Sequence, residues 1–115
     1  MKILDEKIQK TEILKKAETI FGGEMVKAVV DVERKIIGID AGLHADIEQV
    51  LLENGSRQDD LWGINLYPNE DREDFVEFDS MINIRPRQGN KSRDVENPEV
   101  RTKIIEVVDK WIQQD

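Results

Sequence analysis

The sequence predicts an α+β domain: an antiparallel sheet built from two hairpins, one face covered by about three helices, in the order helix, hairpin, helix, hairpin, helix. Three observations carry this. Apolar residues recur at helical spacing in three stretches, they alternate at strand spacing in the stretches between, and the connections are too short for parallel crossovers. At 115 residues the chain can build one hydrophobic core, so residues 1–115 are expected to form a single globular domain.

The first helix follows from Ile13, Leu14, Ala17, Ile20 and Phe21, which share one helical face, with Thr11 as its expected N-cap and Gly22-Gly23 as its end. The period then changes. Val26, Ala28, Val30 and Val32 alternate with Lys27, Val29 and Asp31, and after Glu33-Arg34 the chain returns as Lys35 to Asp40, which predicts the first hairpin. Leu43, Ile47, Val50 and Leu51 restore helical spacing up to Asn54-Gly55; a strand over Gln49–Glu53 turning at that Asn-Gly is the rival reading. Trp62, Ile64 and Leu66 alternate with Gly63, Asn65 and Tyr67. A long strand from Phe75 to Arg85, bent near Asp79-Ser80-Met81, is expected to complete the second hairpin, with Val76, Phe78, Ile82 and Ile84 on its buried face. Asn97-Pro98-Glu99 opens the last helix, whose stripe is Val100, Ile104, Val107, Val108 and Trp111.

Composition excludes several chemistries. With no Cys and one His, the chain offers no disulfide, thiolate, Fe–S or Cys-zinc site, and no haem is expected. A formal charge of −8 argues against duplex DNA as a partner. No apolar run has membrane-span length, and Met1-Lys2-Ile3-Leu4-Asp5-Glu6 does not read as a signal peptide, so a soluble, cytoplasmic setting is expected.

The runs Leu43-His44-Ala45-Asp46, Glu53-Asn54-Gly55-Ser56, Leu61-Trp62-Gly63-Ile64-Asn65-Leu66 and Phe78-Asp79-Ser80-Met81-Ile82-Asn83-Ile84-Arg85-Pro86, continuing through Gly89-Asn90, resemble a family of short uncharacterised prokaryotic proteins, a domain of unknown function. The resemblance spans most of the chain. It implies a prokaryotic, soluble setting and transfers no activity and no catalytic residue.

Three features carry candidate chemistry. Residues 85–93 hold four cations and no acid, so Arg85, Arg87, Asn90, Ser92 and Arg93 are candidate ligands for a small anion beside the start of the last helix. The alternative is that these cations pair with the chain's own carboxylates, Asp94 and Glu96 among them. Second, the polar side of the sheet, facing away from the helices, is expected to present Lys27, Asp31, Asp40, Asn65, Tyr67, Glu77, Asp79, Asn83 and Arg85, with Gly38 and Gly63 leaving room for a ligand. There Asp40, Glu77 and Asp79 would suit Mg²⁺ or Ca²⁺, and Glu77 and Asp79 a general acid/base pair; an ordinary wet sheet face gives the same pattern. Third, His44 is a candidate general base oriented by Asp46, or else a local capping residue.

The functional expectation is a ligand-binding or protein-interaction module with a basic anion-binding loop at 85–93. Its partner would be a small anionic ligand or a basic protein, and a homo-oligomer is compatible with it. The alternative is a small metal-assisted hydrolase or transferase acting on a phosphate or carboxylate substrate.

Overall fold

The computed structural model describes residues 2–20, 25–39 and 42–114. Three helices and an antiparallel sheet make the α+β architecture. The elements in chain order are β1 (Lys2–Ile3), β2 (Ile8–Gln9), α1 (Lys10–Ile20), β3 (Val26–Asp31), β4 (Ile36–Ile39), α2 (His44–Glu53), β5 (Leu61–Leu66), β6 (Val76–Glu77), α3 (Pro98–Trp111) and β7 (Ile112–Gln113). The main sheet runs β1-β4-β3-β5-β6 with every pairing antiparallel, while β2 and β7 form a separate parallel pair.

Helix α3 begins as its sequence requires: the Asn97 side chain accepts from the Glu99 N–H at 2.8 Å, and Pro98 occupies the first turn. Helix α1 starts at Lys10, directly after β2, so Thr11 lies inside it and is not the N-cap. Gly22-Gly23 lies outside the described residues. The stretch after His44 is helical and not a strand. The Asn54 and Gly55 N–H groups donate back to Leu51 and Leu52 carbonyls, and Gly55 takes the left-handed φ of +97° that ends the helix.

The turn between β3 and β4 works without Asn-Gly chemistry because Asp31 supplies it. Its Oδ1 accepts from the Glu33 and Arg34 N–H groups at 3.0 and 2.8 Å, and its Oδ2 from the Ser56 hydroxyl at 2.6 Å. Asp31 is therefore fully buried, where alternation placed it on an open face.

The sheet buries both faces, which corrects the expectation of helices on one side only. Val26, Ala28, Val30, Ile37, Ile39, Trp62, Ile64 and Leu66 pack with Ile13 and Ala17 of α1 and with Ile104, Val107 and Val108 of α3. On the opposite face Val29 and Leu61 pack with Ile47 and Leu51 of α2. Val29 stands between Gly38 and Gly63 in register, and the space above those glycines is filled. A Cβ on Gly38 would lie 2.7 Å from Ile47 Cγ2, and one on Gly63 would lie 2.5 Å from Ser80 Cβ. The glycines admit the protein's own α2 and Ser80, not a ligand.

The strand expected over Phe75–Arg85 pairs only at Val76 and Glu77. Beyond it Ser80 opens a 3-10 turn over Met81–Asn83, accepting the Ile82 N–H on its hydroxyl at 3.3 Å. The side chain of Asn83 takes over the strand's role. Its Oδ1 accepts from the Gly63 N–H at 2.8 Å and its Nδ2 donates to the Gly63 carbonyl at 2.9 Å, satisfying the β5 backbone where β6 has stopped. Ile84, expected in the core, is 38% exposed because the chain has left the strand alternation.

Replacing Gly63 by Ala should cost about 1–3 kcal/mol of stability, because Ser80 is held by its N–H bond to the Arg93 carbonyl and cannot retreat freely. Gly38→Ala should cost less, since only the Ile47 side chain must give. Urea unfolding of the two variants checks the order; equal midpoints to the parent would contradict the close approach.

Candidate functional site

The basic loop is mostly engaged in holding itself together. The Arg85 guanidinium lies 4.1 Å over the Trp62 ring and donates to the Gln58 and Leu61 carbonyls, and burial pushes its pKa down. Arg87 stands 3.8 Å from Asp59 in an exposed pair. Asn90 is buried, and its amide donates to the Asn83, Ser92 and Asp94 carbonyls while its oxygen accepts the Glu96 N–H. The anion cradled here belongs to the chain. Glu96 Oε2 accepts from the Lys91 N–H at 2.8 Å, the Ser92 N–H at 2.9 Å and the Ser92 hydroxyl at 2.8 Å. Those bonds, that from the Ser92 hydroxyl first, lower the Glu96 pKa. Asp94 pairs with Arg101 at 2.5 Å.

Arg93 belongs to a different place. It lines a groove of about 430 Å³ on the α2 side of the sheet, together with Lys27, His44, Asn65, Tyr67, Glu77 and Asp79. Four parts of the chain build it: β3 contributes Lys27, the first residue of α2 is His44, β5 leads to Asn65 and Tyr67, and the segment from β6 onward carries Glu77 and Asp79. The fold thus gathers His44, Glu77, Asp79 and Arg93 at one groove, whereas Arg85, Arg87, Asn90 and Ser92 do not line it. Asp40 lies outside the described residues. Asp31 and Asn83, expected on this face, serve the turn and the β5 backbone instead.

Groove geometry is set by short polar contacts. Arg93 Nε donates to Asp79 Oδ1 at 2.6 Å. Glu77 Oε1 accepts from Asn65 Nδ2 at 2.8 Å and from the Tyr67 hydroxyl at 3.0 Å. His44 Nε2 lies 2.7 Å from the Ile64 carbonyl oxygen, which can only accept, so Nε2 carries the proton and Nδ1 holds the lone pair. The backbone of β5 therefore orients His44, in the role expected of Asp46. Burial lowers the His44 pKa, with Lys27 and Arg93 adding to that effect against the Ile64 bond and Asp79. Both burial and the neighbouring cations thus favour the neutral imidazole.

Among the described residues no group of three or more His, Cys, Asp or Glu side chains is arranged to hold a metal ion. Leu43 and Met81, 58% and 66% exposed, line the same groove and give it an apolar edge. Sequence reasoning left both out, and it placed Lys27, Asn65 and Tyr67 on the correct face without assigning them to a site. Strand register was the missing piece, because it sets Lys27 opposite Asn65 and Asn65 opposite Glu77. A larger concavity of about 640 Å³ between α3 and the β3–β4 turn is lined by Lys35, Lys103, Lys110, Glu33 and Glu106 around Val32 and Val107. Its charged side chains are all exposed and it contains no histidine, so the chemistry singles out the smaller groove.

Fold and groove define an α+β domain with helices on both faces of an antiparallel sheet and a charged cleft on the α2 side. The family model DUF5674, described as a protein of unknown function, matches residues 2–111, and the chain belongs to that family. Searches of the curated proteins and of the solved structures give no match. No helix among the described residues is long and apolar enough to cross a membrane.

A neutral buried His44 has a pH signature. Its folded pKa lies below its unfolded value near 6.5, so the unfolded chain binds the proton more readily. Its contribution to stability is whole above that value and is lost as pH falls through it toward the folded pKa. Urea midpoints measured from pH 8 down to pH 5 should drop more steeply for the parent than for His44→Gln, which keeps a donor and cannot titrate; parallel curves would refute the assignment.

Proposed function

We propose that this domain is a ligand-binding module that captures a small molecule bearing an anionic group in the groove between α2 and β6. One observation carries the reading: basic, acidic and imidazole side chains from four separate parts of the chain converge on a single concavity that also exposes Leu43 and Met81. Lys27 is the cation for the anionic group, with Arg93 beside it. Of the basic loop, this reading keeps Arg93 as the contributing residue. Ligands of this size suit a groove of about 430 Å³. A basic protein partner would instead be drawn by the net charge of −8 and would bind without using the groove.

The enzymatic alternative, a hydrolase or transferase on an anionic substrate, is favoured by a specific observation: His44 is a buried imidazole whose Nε2 is held by the Ile64 carbonyl, with burial lowering its pKa. Its test is turnover of whatever ligand binds, compared between the parent and His44→Ala.

Thermal unfolding across phosphate esters, nucleotides and carboxylates tests the binding reading. A ligand at about a hundred times its dissociation constant should stabilise the domain by about 2.7 kcal/mol. Lys27→Ala should weaken that ligand about ten-fold or more, as loss of a charge-assisted contact does, and Arg87→Ala should leave it unchanged. A binding ligand indifferent to Lys27 and lost in Arg87→Ala would move the site to the exposed loop.

A further inference from the structure

We infer that the groove's ligand is a compact zwitterion with an apolar side chain, an amino acid or a short peptide, its carboxylate at Lys27 and its ammonium at Glu77; this rests on the groove being a binding site, as proposed above. The register of three strands carries the inference. Lys27 on β3 pairs with Asn65 on β5, and Asn65 pairs with Glu77 on β6, so a cation, an amide and a carboxylate stand in one row across the sheet. Adjacent strands lie about 4.8 Å apart, which sets the outer two positions about 10 Å apart at the backbone.

The remaining charges of the groove cancel. Arg93 and Asp79 are bonded to each other at 2.6 Å, which leaves Lys27 and Glu77 as the uncommitted pair of opposite sign. Lys27 is half-buried and makes no salt bridge with another described residue. Glu77 is fixed through one oxygen only: Oε1 receives both the Asn65 amide and the Tyr67 hydroxyl, so the carboxylate is oriented while Oε2 remains for a further donor.

A plain anion placed here would meet the Lys27 ammonium but also the Glu77 carboxylate, and a plain amine would meet the reverse. Desolvating either like-charged neighbour is unfavourable, so a ligand carrying both charges matches the row where a single charge does not. The apolar component follows from Leu43 and Met81, which line the same groove and are 58% and 66% exposed. An aliphatic side chain covering them removes that surface from water.

The test uses two-dimensional NMR of the full chain, following the Met81 methyl and the Asn65 side-chain amide. The probes are leucine, methionine and leucyl-leucine, with isocaproate as the acid-only analogue, isoamylamine as the amine-only analogue, and glycerol phosphate as a plain anion. Saturable shifts at both groove signals are expected with at least one of the three zwitterions, the matching single-charge analogues binding about ten-fold more weakly or worse. Lys27→Met should bring that zwitterion down to the level of the amine, and Glu77→Gln down to the level of the acid. Retained native spectra in both variants separate lost recognition from lost fold. If isocaproate or glycerol phosphate binds the groove as tightly as every zwitterion, the zwitterion inference is overturned while the groove reading stands. If no probe shifts either signal, both are overturned.

Discussion

The structure depends on two strand positions that lack side chains. Gly38 and Gly63 flank Val29 across three strands, and only their missing Cβ atoms let α2 and Ser80 lie directly on the sheet. Ile47 occupies the space above one glycine and Ser80 the space above the other. From that contact the site follows. With α2 pressed down, its first residue His44 reaches the Ile64 carbonyl, and with Ser80 seated, Asp79 and Met81 on either side of it are carried to the groove's edge. A side chain at either glycine would separate the layers that now share the groove's walls.

The chain's acidity is used largely to organise its own loops. Asp31 holds the β3–β4 turn and reaches Ser56, Glu96 fills the amide cradle at Lys91 and Ser92, and Asp94 holds Arg101. These carboxylates accept from backbone N–H groups or pair with guanidinium groups, arrangements in which a charge is well satisfied. In the 85–93 loop Arg85 is taken up against Trp62 and the Leu61 carbonyl, while Arg93 leaves the loop to pair with Asp79 at the groove.

Much of the architecture was legible because it is local. The Asn97-Pro98 start of α3, the alternation of Trp62, Ile64 and Leu66, and the helical spacing around Ile47 and Leu51 each follow from neighbours a few residues apart. The misreadings share one cause, which is that long-range geometry decides them. Alternation put α2 on the same side as α1 and α3, since a sequence pattern marks two faces of a strand without saying which helix covers which. The apolar phase of Val76, Phe78, Ile82 and Ile84 suggested a continuous strand, yet an Asn83 side chain bonded to Gly63 replaces its second half. Of the candidate site, the residue types were visible, and His44, Glu77, Asp79 and Arg93 do meet. The Lys27–Asn65–Glu77 row needed register, which no local signal in these strands encodes.

The small parallel pairing of β2 with β7 joins Ile8 and Gln9 to Ile112 and Gln113, nearly the full length of the described chain apart. Ile8 and Ile112 are also members of the same core as α1 and α3. During synthesis α1 can pack on β3 as soon as both are free, but the seam of Ile8 with Ile112 closes only when α3 and the strand after it have followed. Completing this core therefore takes one closure across nearly the whole described chain, a long-range contact of the kind that slows folding.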